Sequence, residues 1–181
     1  MKHKTEYIID GRHPLFRTAA ALLFLSAAVR CVWFALAHGT GADTFTAVVH
    51  LLMPVLSGLL MGLCILFEKP KFSFVPLFFG VAFFILKALS FPSRLHTVLC
   101  CILYTLVFIL FTLTAVLGRI PTRVPLILVF VLPFLYHVFV EDMAKLTSAA
   151  PPTFLEWMPE ISVLLIMAGL ACFAAGLKKK E

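Results

Sequence analysis

Two cations lie where a chain this apolar has least reason to put them. Arg30 and Lys87 each sit inside a long hydrophobic run, and no Asp or Glu interrupts the interior of any such run. A guanidinium or ammonium withdrawn from bulk water is costly unless it meets an anion, a carbonyl or an aromatic face. Such residues therefore either bind anionic groups or snorkel to the headgroups. Three histidines, His50, His96 and His137, lie near the ends of their own runs. Neutral imidazoles would supply hydrogen bonds to a solute, or ligands to a metal or haem. His137 and Glu141 stand at i and i+4, on one helical face, so both could reach one metal ion. No zincin helix, nucleophile elbow or P-loop accompanies them, so the sequence assigns no catalytic residue, no metal ligand and no cofactor.

The elements that must carry these residues follow from composition. Of 181 residues, 62% are hydrophobic and 13% charged, and the mean hydropathy is +1.06. A soluble domain of this size could not hide so much apolar surface, so lipid must be the solvent. Six runs emerge: Thr18 to Ala37, Phe45 to Phe67, Phe74 to Phe91, Leu95 to Leu117, Val124 to Val140 and Ile161 to Leu177. Each is close to the roughly 20 residues that cross a bilayer as a helix, and none alternates as a membrane-barrel strand would. The expected fold is an all-α integral membrane protein, a bundle of about six transmembrane helices forming one polytopic domain over residues 1–181.

Charge orients the bundle. Lys2, Lys4, Arg12 and Arg17 precede the first run, Lys69 and Lys71 follow the second, Arg119 and Arg123 follow the fourth, and Lys178, Lys179 and Lys180 follow the sixth. Eleven of the fifteen lysines and arginines thus fall on one side, against Arg94 and Lys145 on the other. The positive-inside rule makes residues 1–17 a cytoplasmic segment, 141–160 an outer loop and 178–181 a basic cytoplasmic tail. The expected location is the cell membrane, with both termini inside. A leader is not expected, because Arg30 interrupts the first run and no small-residue cleavage site follows. The final Lys178 to Glu181 also has the form of a dilysine retrieval signal, although a basic stop is the commoner meaning. The pI near 9.2 is explained by these loop charges and implies no nucleic-acid partner.

Projected at about 1.5 Å per residue, Arg30, His50, Lys87, His96 and His137 all fall in the outer half, within roughly 10 Å of the outer boundary. Helical stripes suggest how they converge. Pro133, His137 and Glu141 share a face of the fifth run, and His50, Pro54, Ser57 and Met61 share one in the second. Pro54 lacks the amide hydrogen that would bond the carbonyl of His50, leaving that oxygen open. Ser26, Arg30 and Trp33 or Phe34 align in the first run, Gly80, Phe83 or Phe84 and Lys87 in the third, and His96, Cys100 and Tyr104 in the fourth. In the outer loop Thr153 and Glu156 have capping-box spacing. The turn they begin, with Trp157, reads as an interfacial anchor or a lid.

Small residues suggest close helix contacts. Gly58 and Gly62 form GxxxG; Ala168, Cys172 and Gly176 recur every fourth residue, as do Ala171 and Ala175. These faces pack within the bundle or dock a partner subunit. The cysteines Cys31, Cys64, Cys100, Cys101 and Cys172 lie in runs without a CxxC and read as packing residues. The Pro-Leu pairs at 14–15, 76–77 and 125–126 each open a run after a basic segment, as proline in a first turn does.

Three functions compete. The first is a solute-binding or transport subunit, with the bilayer as its environment and an anionic solute held by Arg30 and Lys87. In size, six crossings and cytoplasmic termini the chain resembles the substrate-binding subunits of energy-coupling-factor vitamin transporters. That resemblance, of topology only, implies an energising ATPase partner. The second is a membrane interaction or regulatory protein acting through its small-residue faces. The third is a histidine-based metal- or haem-dependent enzyme, which an interior free of carboxylate bases disfavours.

Overall fold

The computed structural model describes residues 7–39, 41–90, 95–117, 123–139, 147 and 153–179. Six helices account for nearly all of them. Helix α1 (Pro14–His38) begins where the His13 ring accepts the amide hydrogen of Leu15 at 3.3 Å and Pro14 supplies a first turn needing no donor. It ends at Gly39, whose φ of 55° with ψ of −136° is a backbone conformation that a residue without Cβ adopts freely. Helix α2 (Thr44–Leu66) is capped by Asp43, whose carboxylate accepts from the Thr46 amide at 2.6 Å. Helix α3 (Phe74–Ser90) follows a 3-10 turn, Pro70–Ser73. Then come α4 (Leu95–Leu117), α5 (Arg123–His137) and α6 (Phe154–Gly176). Five of the six are long and apolar enough to cross a membrane; α5 is described over 15 residues.

Each helix packs on the next, and α6 closes the ring against α1. Phe16, Phe108, Phe111, Phe130 and Phe173 fill the centre with Leu23, Met61 and Leu170, all essentially inaccessible. Outward-facing positions such as Leu36, Phe78, Ile102 and Leu132 are exposed, as a lipid-facing surface requires. The two ends of the chain meet: Tyr7 and Ile8 (β1) pair antiparallel with Lys179 and Lys178 (β2). Residues 7–8 and 178–179 therefore lie side by side at one end of the bundle.

Two boundaries differ from the sequence reading. Helix α1 starts at Pro14, ahead of the apolar span read from Thr18, with the proline in the first turn as the Pro-Leu pair implies. Residues 154–160, read as outer loop, are instead the first two turns of α6, so the turn at Trp157 belongs to a continuous helix and is no separate lid. The Thr153–Glu156 capping box starts that helix: the Thr153 amide donates to Glu156 Oε2 at 2.6 Å. Pro159 then forfeits a single backbone hydrogen bond without ending the helix. Glu141 and most of the remaining outer loop lie outside the described residues.

Candidate functional site

The N-terminal half of α2 departs from regular geometry. Over Val48–Leu52 the hydrogen bonding widens to a π-turn, and the Met53 amide reaches back to the Val48 carbonyl. Pro54 follows at once, and without an amide hydrogen it cannot take up the His50 carbonyl in α-helical register. That oxygen accepts a hydrogen bond from Arg30 Nε at 3.0 Å. The guanidinium also lies over Trp33, 4.7 Å from the ring centroid, and 5.6 Å from that of Phe83. Arg30 is only 6% exposed. Its cation has entered the bundle and is held there by a carbonyl and two aromatic faces.

Arg30 lines an internal cavity with about 20 Å³ of space for water centres, bounded by Ser57, Gly80, Phe83, Phe108 and Met167. That exceeds the roughly 10–15 Å³ one water needs, and leaves room only for a group of a few atoms. Gly80, also on the cavity wall, lets the Phe108 ring lie directly against α3, since a Cβ there would collide with that ring. The Ser57 hydroxyl donates to the Pro76 carbonyl at 3.2 Å, tying α2 to α3 beside it.

Other charges gather around this point. His50 is half-buried, with its ring 6.5 Å from that of Trp33, and Arg30, His38 and Lys87 are near enough for their charges to act on it. Lys87 is half-buried in the last turns of α3 and does not line the cavity. Glu160, in α6, is near enough to act on Arg30. His96 sits in the first turn of α4 and His137 ends α5, but their side chains lie outside the described set. Among the described residues, no three His, Cys, Asp or Glu side chains are grouped to hold a metal ion.

Sequence reasoning missed three residues. His38, whose ring lies 5.6 Å from Trp33, continues the Arg30–Phe34 stripe by one more step of four. Ser162 was passed over because it opens an apolar run; it exchanges hydrogen bonds with Ser26, each hydroxyl meeting the other's backbone carbonyl, at 2.8 and 3.2 Å. Gly169 brings α6 against α1, where a Cβ would stand 3.1 Å from the Ala19 carbonyl. The stripes that were recognised serve the same packing. A Cβ on Gly58 would meet the Leu23 carbonyl at 3.2 Å, one on Gly62 the Phe24 ring at 2.6 Å, and one on Gly176 the Leu15 Cβ at 3.2 Å. Ala168, Ala171, Cys172 and Ala175 are half-buried, Cys172 against the core.

These features define an all-helical protein with membrane-length apolar helices and a buried arginine on a small internal cavity. Comparison with family models, curated proteins and solved structures finds no match to the chain.

Proposed function

We propose that the protein is an integral membrane solute-binding or transport subunit that takes a small anion, or the anionic end of a solute, at Arg30. The observation that carries this reading is the buried guanidinium on the cavity wall. With Nε occupied by the His50 carbonyl, the terminal Nη pair is the edge left to grip an anion in two-pronged fashion. His38, His50 and Lys87 add positive or proton-donating character around it, partly offset by the carboxylate of Glu160. The cavity's size narrows the earlier expectation of a broad outer pocket to a halide-sized or carboxylate-sized group.

Both termini would be cytoplasmic and the protein would reside in the cell membrane, as the loop cations favour. Movement of solute would need a partner ATPase or an ion gradient, since the chain carries no P-loop. The small-residue faces support an interaction role less, because Gly58, Gly62 and Gly176 already meet α1.

Purification in a mild detergent, followed by mass spectrometry of retained proteins and small molecules, tests the reading. A bound anion, or a stoichiometric ATPase, is the expected result. A Soret band or a stoichiometric metal would replace this reading with histidine chemistry.

A further inference from the structure

A second site lies at the opposite end of the bundle, on its outer surface. Helix α2 ends in a tight reversal: the Lys69 amide bonds the Cys64 carbonyl at 3.1 Å, the Glu68 amide bonds Ile65 at 3.4 Å, and Glu68 adopts a φ of 52°. This is the Schellman arrangement, here with glutamate where glycine is usual. The Glu68 carboxylate is drawn inward, accepting the Gly11 amide at 2.8 Å. Lys69, the next residue, projects from the turn and is exposed.

Below the turn, α2 and the start of α3 diverge and leave an open groove of about 200 Å³ lined by Leu60, Leu63, Cys64, Phe67, Phe72 and Val75, with Lys69 at its mouth. Apart from Lys69 its wall is wholly apolar. Phe67 and Phe72 are 66% and 62% exposed, so the groove opens sideways from the bundle. In a bilayer such a space faces hydrocarbon, where only an acyl chain can fill it. A cation at its mouth, with a second exposed lysine, Lys71, two residues on, suits a negatively charged headgroup. The carboxylate of the adjacent Glu68 already accepts a hydrogen bond from the Gly11 amide.

We propose that this groove is a binding site for an anionic phospholipid, one acyl chain lying between α2 and α3 and the phosphate at Lys69. The turn that ends α2 places Lys69 among the residues lining the groove, which distinguishes this place from the general lipid-facing surface.

The site can be tested on the whole protein by native mass spectrometry after reconstitution with equal amounts of phosphatidylglycerol and phosphatidylcholine of the same chains. The expected result is selective retention of one phosphatidylglycerol, reduced about fivefold by Lys69→Ala. Val75→Trp, at a position 43% exposed, would fill the groove and displace the lipid without touching the core. Circular dichroism and gel filtration would confirm that both variants fold. Equal retention of the two lipids, or phosphatidylglycerol retention unchanged by both substitutions, would overturn the proposal. Neither result bears on Arg30, which lies in the bundle interior on another cavity.

Discussion

Two neighbouring turns of α1 treat buried polarity in opposite ways. Ser26 meets Ser162 in a closed exchange: both hydroxyls reach backbone carbonyls, both residues are 2–3% exposed, and Gly169 lets the helices touch two turns further along α6. Arg30, one turn on, has a hydrogen bond from Nε, two aromatic faces and an adjoining cavity. The serine pair satisfies itself and serves adhesion, although Ser162 borders the same cavity. The arginine brings a full charge into the bundle and leaves room beside it, which packing alone does not require.

The adhesive half of the comparison is broken most severely by removing the close approach of α6 to α1. Gly169→Leu would drive a side chain against the Ala19 carbonyl, and backbone cannot rotate away as a ring can. A loss of about 1–3 kcal/mol or more is expected, seen as a lower midpoint of thermal unfolding in detergent.

Substitution of the serines sharpens the adhesive half. Ser26→Ala and Ser162→Ala should each cost about 0.5–1.5 kcal/mol, and the double variant little more than either single one. Additive losses in that cycle would show that the hydroxyls act independently. At the other end, Gly11→Ala would press a Cβ toward the Leu66 carbonyl, 2.6 Å away, and break the amide bond to Glu68. The expected effect is local: faster hydrogen exchange at the turn after α2, with a small change in the global midpoint.

The smallest effect concerns pH. The amide of Thr46 holds the Asp43 carboxyl below its ordinary range. A depressed folded value means the cap stabilises α2 above the unfolded value near 3.8 and is lost as pH falls through the folded value. Amide exchange at Thr46, compared with the intrinsic rate at each pH, should show protection falling in that range, and Asp43→Ala should remove the pH dependence.

Much of the helical layout was legible because the physics is local. The α4 limits, Leu95 and Leu117, are those read from hydropathy, since no capping or proline signal intervenes inside them. The start of α6 was carried in the sequence by the Thr153–Glu156 capping box, while hydropathy marked the apolar run only from Ile161; one hydrogen bond missing at Pro159 does not separate the two. Pro54 identified in advance which carbonyl is left open, the one Arg30 uses. What the sequence could not give is the rotation of α1 that brings Arg30 to that oxygen. It is set by Gly58 and Gly62 lying against Leu23 and Phe24, a relation between helices far apart in sequence. Nor could it give the cavity's small volume, which depends on how Phe83 and Phe108 divide the space beside Gly80.

The most direct test is saturable anion binding at Arg30. Thermal midpoints of the purified protein would be measured against chloride, nitrate, formate and benzoate at constant ionic strength, alongside Arg30→Gln. The expected result is a saturating rise with at least one of the three small anions, about 2.7 kcal/mol at a hundredfold excess over the dissociation constant, that is weak for benzoate and absent in Arg30→Gln. Equal stabilisation of both proteins, or none for any anion, would contradict a binding role for the buried arginine.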